Sequence, residues 1–181
     1  MIITIAGDIG SGKSTVAKLL ASRLQFKHYS TGDFMREMAV KEGISLLELS
    51  ARAEKDRAVD KLLDGRQERL GKVEDNFVLD ARLGWLFIPQ SVKIYLKVAP
   101  KVGALRVLQR SQANKSKAEQ NDQSFRQVYQ QMVVRRAFEN ERYQKWYHVC
   151  QDDPKNYDVI IDTSTKSPRQ IVLEIIEKIK K

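Results

Sequence analysis

The apolar residues of this chain form short runs that alternate with longer amphipathic stretches. A short apolar run that ends in a turn signal is typical of a strand buried inside a sheet. Five runs have this form, and they predict strands at Ile2–Ala6, Lys27–Ser30, Phe77–Leu79, Val92–Val98 and Tyr157–Asp162.

The longer stretches repeat apolar residues every three or four positions, the spacing of one helix face. Strands that alternate with helices predict an α/β fold, in which a five-stranded parallel sheet has helices on both faces. Such sheets bind ligands at the carboxyl ends of their strands. The predicted helices are Ser14–Leu24, Phe34–Lys41, Leu46–Leu70, Pro100–Gln112, one with its apolar stripe at Phe125, Val128, Tyr129, Met132 and Val133, and Pro168–Ile179.

Composition suits one domain over residues 1–181, since we find no repeat and no linker rich in Pro, Gly or Ser. The first residues lack the basic leader of a signal peptide, and no apolar run approaches the roughly 20 residues of a membrane helix. The single cysteine, Cys150, has no internal disulfide partner. We therefore expect a reduced, cytoplasmic protein without a membrane partner.

The net charge of +9 favours anionic ligands, either phosphates or nucleic acid. The lysines at 178, 180 and 181 are interpreted as solvated surface. The stretch from Ser111 to Ser124 is polar and charged, and we expect it to be exposed and mobile. Its basic segment Lys115–Lys117 leaves open an RNA-associated function, although no aromatic-and-basic recognition motif accompanies it.

A phosphate-binding loop is the strongest motif in the chain. Residues 7–14 match G-x-x-x-x-G-K-[ST] between a predicted strand and a predicted helix. Lys13 would contact the outer phosphates of ATP and Ser14 would contact Mg²⁺. The motif predicts nucleotide binding but not the reaction, because switches, motors and kinases share it. The predicted ATP contacts are Gly7, Asp8, Ile9, Gly10, Ser11, Gly12, Lys13, Ser14 and Thr15.

The segment from His28 to Arg36 follows the second predicted strand and contains Ser-Thr-Gly-Asp-x-x-x-Arg. It resembles the corresponding segment of nucleoside monophosphate kinases. The resemblance implies that Thr31 and Arg36 hold the acceptor nucleotide. Alternatively, Thr31 only caps the following helix and Arg36 only forms a surface salt bridge.

Three further segments, 42–46, 53–56 and 60–67, resemble the acceptor-binding helices of archaeal-type cytidylate kinases. The resemblance places the acceptor-binding helices at about residues 33–70. Asp64, Arg66 and Gln67 could read the base by hydrogen bonds. The alternative is a solvated, charged helix.

Residues 77–85 are similar to the Glu-Gly-Arg-Leu-x-Gly-Trp segment of the same family. The resemblance implies that Arg82 grips the acceptor phosphate, and Asp80 could hold Mg²⁺ through water. The chain departs from the pattern at Ala81, where Gly is usual, and at Asp8, where Pro is frequent. A carboxylate at Asp8 should repel the triphosphate unless it points away.

Four arginines at helical spacing would close the site over the phosphates. Arg106 and Arg110 share a helix face, as do Arg135 and Arg142. The resemblance implies that the first pair grips ATP, the second pair contacts the transferred phosphoryl group, and a lid spans about residues 111–135. An alignment shift of one residue would put Arg136 in the place of Arg135.

These arginines have a structural alternative, a basic helix face paired with Glu139 and Glu141. Taken together, the motifs favour a monomeric kinase that uses ATP and Mg²⁺ to phosphorylate CMP or dCMP, with small nucleotides rather than nucleic acid as partners. An adenylate kinase, a P-loop kinase for another small acceptor and a non-catalytic nucleotide- or RNA-binding protein remain the alternatives.

Overall fold

The computed structural model describes residues 1–113 and 124–180, apart from the side chains of residues 47, 54 and 55. Its centre is a five-stranded parallel sheet in the order β2-β3-β1-β4-β5, which confirms the predicted fold class. The strands are β1 (Ile2–Gly7), β2 (Lys27–Ser30), β3 (Phe77–Asp80), β4 (Val92–Lys97) and β5 (Val159–Asp162).

The order of the strands reverses beside β1. The chain builds β2 and β3 on one side of β1 and then crosses to add β4 and β5 on the other. A crevice therefore opens at the carboxyl end of β1, which is the usual ligand position in such sheets. The phosphate loop begins at this point.

The helices cover both faces of the sheet. One apolar cluster joins Ile3 and Ile5 of β1 to α1 and α8, while Phe77 and Leu79 of β3 face α2 and α4. Ile2 of β1 joins this second cluster, so alternate residues of β1 enter opposite halves of the core. The helices are α1 (Lys13–Leu24), α2 (Thr31–Glu42), α3 (Leu46–Lys55), α4 (Arg57–Val73), α5 (Gly84–Phe87), α6 (Pro100–Ala113), α7 (Phe125–Tyr147) and α8 (Pro168–Ile179).

The single helix predicted over Leu46–Leu70 is wrong, because the structure divides it into α3 and α4 at Asp56. Asp56 is extended (φ −128°, ψ 122°), and its carboxylate accepts the backbone N–H of Ala58 at 2.8 Å. An aspartate that caps a helix start competes with continuation of the preceding helix. The break lets α3 fold back on α2, where Leu49 and Ala53 join a separate apolar cluster.

The predicted lid overlaps the part of the chain that is not described. Residues 114–123, which include Lys115–Lys117, lie outside the described residues, so the predicted lid and its mobility stay predictions. On either side of this gap, α6 packs against α7. Within the described residues, no helix has the length and apolar character needed to span a membrane.

Candidate active site

The phosphate loop has the backbone that an anion-binding turn needs. Gly10 and Gly12 adopt positive φ angles of 82° and 83°, which residues with a Cβ rarely reach. Gly12 caps α1 without a side-chain hydrogen bond from any described residue. The first N–H groups of α1 therefore remain available to a phosphate, at the positive end of the helix dipole.

Lys13 is held at the mouth of this loop by a buried ion pair. Its ammonium group donates to Asp80, which ends β3 and is only 3 % exposed. Burial lowers the pKa of Lys13 below its usual value, and the Asp80 carboxylate opposes this shift. The pair places a cation and a potential Mg²⁺-water acceptor side by side.

One cavity of about 830 Å³ collects most of the predicted site residues. Its volume lies within the range of small-molecule sites. The phosphate loop and the start of α1 form one wall, while α2, β3, α6, α7 and the segment before α8 form the others. Its predicted lining residues are Gly7 to Thr15, Thr31, Arg36, Asp80, Arg82, Arg106, Arg110 and Arg135.

The acceptor segment enters the cavity at the start of α2. Ser30, rather than Thr31, caps this helix by accepting the backbone N–H of Asp33 at 3.2 Å. The hydroxyl of Thr31 instead donates to the backbone carbonyl of Asp80 at 3.4 Å. The capping alternative for Thr31 is therefore wrong. Arg36 lines the cavity and also forms an ion pair with Asp33.

Glu139 of α7 joins two of the cavity arginines. Its carboxylate lies 2.9 Å from the Nε atom of Arg82 and 2.9 Å from the Nε atom of Arg135. Glu139 itself is 8 % exposed. Because each arginine is held through Nε, the terminal nitrogens of both guanidinium groups stay available to a phosphate. An arginine that pairs with Glu139, as predicted, can therefore also line the cavity and bind a phosphate there.

Arg106 spans the phosphate loop and the end of β5. Its guanidinium donates to the carbonyl of Thr163 at 2.7 Å and approaches the carbonyl of Gly10 at 3.5 Å. Arg110 lies one turn further along α6 and lines the same cavity. The two predicted ATP arginines therefore share one wall.

Gly103 sets the distance between α6 and the phosphate loop. A Cβ atom added at Gly103 would lie 2.6 Å from the carbonyl oxygen of Ile9, closer than real Cβ contacts. The two backbones thus touch without an intervening side chain. This contact brings the arginines of α6 over the loop.

Four predicted site residues lie outside this lining, namely Asp64, Arg66, Gln67 and Arg142. Asp64 accepts a hydrogen bond from the Tyr147 hydroxyl at 2.6 Å, between α4 and α7. Arg66 pairs with Glu37 at 2.5 Å and lies over the Phe34 ring.

Arg142 is also in the α4–α7 interface, 3.8 Å from Asp60. In the same interface, burial raises the pKa of the Asp64 carboxyl to about 6, although the hydrogen bond from the Tyr147 hydroxyl acts to lower it. Gln67, the further candidate for base contact, is buried on α4, and its amide donates to the Leu63 carbonyl at 3.3 Å.

Some residues of the cavity have no counterpart in the sequence prediction. Lys18 and Lys166 line it and add positive charge. His28 also lines it, and burial lowers the pKa of this imidazole. Lys18 follows Ser14 by one helical turn, a spacing that was available in the sequence. Lys166 reaches the site only through the fold.

Comparison with known proteins gives the chain a family. A model of the cytidylate kinase-like family matches residues 2–165. The cytidylate kinase of Methanosphaera stadtmanae is 34% identical over 180 residues, covering 98% of each chain. That of Methanocaldococcus jannaschii is 34% identical over 189 residues and covers both chains fully. That of Sulfurisphaera tokodaii is 33% identical and covers 94% of this chain and 91% of its own.

Solved structures share the fold at low sequence identity. A shikimate kinase from Bacteroides thetaiotaomicron superposes with a TM-score of 0.69 at 14% identity, covering 100% of this chain and 99% of its own. A protein from Eubacterium ventriosum reaches a TM-score of 0.75 at 17% identity, with 99% and 98% coverage. At these identities the likeness concerns the fold alone, which is that of P-loop kinases. With a family model matched over nine tenths of its length, the chain belongs to the cytidylate kinase-like family.

Proposed function

We propose that this protein transfers the terminal phosphoryl group of ATP to CMP or dCMP, giving ADP and CDP or dCDP. One observation carries the proposal. A single cavity has the phosphate loop with Lys13 on one wall and Arg36, Arg82 and Arg135 on the others. Two phosphate sites that face each other are what phosphoryl transfer between nucleotides requires.

The donor site uses the loop amides, Lys13 and the arginines of α6. The amides would surround the β-phosphate, and Lys13 would leave Asp80 to contact the outer phosphates. Arg106 and Arg110 would contact ATP from above the loop. Arg106 lies beside the carbonyl of Gly10 and Arg110 lines the same cavity, and both positions support this assignment.

Mg²⁺ fits the chemistry of this site. The ion prefers oxygen ligands and keeps several waters, so one hydroxyl and one carboxylate beside the substrate phosphates suffice. Ser14 would bind it directly, and Asp80 would hold one of its waters. When bound, Mg²⁺ neutralises charge on the β- and γ-phosphates.

Catalysis would then rest on position and charge. The acceptor phosphate is already an anion, so its attack needs no general base. Arg36 and Arg82 would hold this phosphate in line, while Arg135 would stabilise the charge on the transferred group. Water has to be excluded, since it would otherwise accept the phosphoryl group.

The base of the acceptor would be read between α4 and α7. The Oδ2 atom of Asp60 and the Oε1 atom of Gln67 are buried acceptors without a hydrogen-bond partner among the described residues. Such atoms cost free energy unless a ligand satisfies them. The amino group of cytosine is a donor of the required kind, whereas uracil presents an oxygen there. The Nε atom of Arg57, a donor without a hydrogen-bond partner among the described residues, would contact the carbonyl oxygen of cytosine.

We propose that the enzyme acts as a cytoplasmic monomer in which one chain carries both predicted phosphate sites. Light scattering with and without ATP would test the monomer.

The decisive experiment presents CMP, dCMP, UMP, AMP and GMP to the protein with ATP and Mg²⁺. We expect phosphorylation of CMP and dCMP at a higher kcat/KM than of UMP or AMP. Lys13→Ala is the control, and it should lower kcat at least about 100-fold while circular dichroism shows a folded protein. Absence of phosphorylation of every monophosphate would refute the proposal.

A further inference from the structure

The carboxylate of Asp8 lies in a loop that binds anions, yet it is fully occupied by the protein. Its Oδ2 atom accepts the backbone N–H of Val98 at 3.0 Å. Its Oδ1 atom accepts the hydroxyl of Tyr95 at 2.6 Å and the guanidinium of Arg136 at 3.0 Å. The carboxylate thus points towards β4 and α7. A carboxylate at this position has to point away from the triphosphate, and this orientation meets that requirement.

Arg136 connects three parts of the fold through one nitrogen. Its Nη2 atom contacts Asp8 of the loop, the Tyr95 hydroxyl of β4 at 2.7 Å, and Asp152 after α7 at 3.1 Å. The side chain is only 21% exposed. Removing one partner of such a largely buried pair costs more than removing one partner of a surface ion pair, because it leaves a charge without compensation.

The neighbouring arginine on α7 belongs to the cavity. Successive residues of an α-helix point about 100° apart, so Arg135 and Arg136 diverge from the same turn. Arg135 faces the cavity and Glu139, while Arg136 faces Asp8. Anchoring Arg136 therefore sets the rotation of α7 about its axis, and with it the direction of Arg135.

We propose that Asp8 and Arg136 form a clasp that positions α7 against the phosphate loop, with Arg136 as a positioning residue for phosphoryl transfer. The clasp has two effects. It cancels a negative charge that would otherwise oppose ATP, and it orients Arg135 over the transferred group. The second effect rests on the proposed function, whereas the first concerns ATP binding alone.

The charge effect is tested by calorimetry with ATP and Mg²⁺ in the absence of any acceptor. Arg136→Gln leaves Asp8 uncompensated, so we expect ATP to bind at least about fivefold more weakly. Because the uncompensated carboxylate is then absent, the Asp8→Asn/Arg136→Gln double variant should bind ATP within about twofold of the Asp8→Asn single variant. Arg126→Gln, an exposed arginine of the same helix, is the matched control and should bind ATP like the parent protein.

The orienting effect is tested by Arg136→Lys, which keeps the positive charge but loses the planar guanidinium group and its several donors. We expect ATP affinity within about twofold of the parent protein and kcat reduced at least about fivefold. A merely structural role would lower the melting temperature without this separation of affinity from kcat.

Two results would overturn the clasp. One is folded Arg136→Gln protein that binds ATP normally, and the other is a double variant in which the two losses simply add. If Arg136→Gln does not fold, Arg136→Lys decides, and an unchanged kcat overturns the clasp. The calorimetric arm needs no acceptor, so a failure of CMP phosphorylation would refute the proposed function and leave this arm standing.

Discussion

At the scale of single residues, the charged side chains of the site form ion pairs with one another. Lys13 pairs with Asp80, Arg36 with Asp33, and Glu139 bridges two arginines. Each pair keeps a flexible cation near the place where phosphate would bind. Exchange of a carboxylate for a phosphate then requires little movement of the side chain.

Arg36→Ala should raise the KM for the acceptor more than the KM for ATP. Arg36 belongs to α2, whereas the loop amides that would bind ATP form another wall of the cavity. We expect the acceptor KM to rise about tenfold or more, from the loss of a charge-assisted hydrogen bond. Steady-state kinetics with each substrate varied in turn gives both values. A larger effect on the ATP KM would move Arg36 out of the acceptor site.

Asp64 predicts a pH dependence of stability. Its pKa of about 6 in the folded protein exceeds the usual value of 3.8, so the folded state binds a proton more tightly than the unfolded state. Stability is therefore lost as pH rises from about 4 through 6, and the cost is complete above that range.

Asp64→Asn removes this cost. At pH 7.5 we expect the free energy of unfolding to increase by about 1–3 kcal/mol, and the gain to shrink by at least about half at pH 4.5. Urea unfolding at both pH values measures it. Arg69→Gln, an exposed change on the same helix, should stay within about 0.5 kcal/mol of the parent protein at both. If the free energy of unfolding changed with pH equally in Asp64→Asn and in the parent protein, the raised pKa of Asp64 would be contradicted.

At the scale of secondary-structure elements, the sequence predicted the type of each helix or strand better than its boundaries. All five strands were predicted, because each apolar run is short and stands between helical stretches. The division at Asp56 was missed, since the residues around it are strong helix formers and the cap depends on one side chain. The four-residue helix α5 was too short for any periodic pattern to reveal.

The close contact between α6 and the phosphate loop gives a prediction at this scale. Gly103→Ala adds a methyl group against the carbonyl of Ile9, so α6 or the loop has to move. We expect ATP affinity to fall at least about fivefold, although alanine favours the helix by about 1 kcal/mol.

Gly65→Ala in α4 is the matched control for this change. A Cβ atom added there meets no described atom within 4 Å. It should leave ATP binding unchanged and stabilise the protein by up to about 1 kcal/mol. Calorimetry and thermal unfolding of both variants would check the pair, and normal ATP binding by Gly103→Ala would contradict the tight contact.

At the scale of the whole molecule, the predicted fold, family and enzyme class are confirmed. The phosphate loop identified the site because its chemistry is local: eight consecutive positions, one of them a lysine, suffice. The pairing of Arg135 with Glu139 was among the predicted alternatives. The contact of Glu139 with Arg82 and the clasp of Asp8 with Arg136 could not be predicted, because each joins residues brought together only by tertiary packing. The assignments of Asp64, Arg66 and Arg142 stay predictions.

The contact of Gly103 with the phosphate loop also limits how this protein can be changed. Two surfaces that meet backbone to backbone leave no side chain through which one could adapt to the other. A substitution that reshapes the loop or the helix therefore has to be matched by a change in the other segment. A designer seeking a different phosphate donor would have to transplant both segments together.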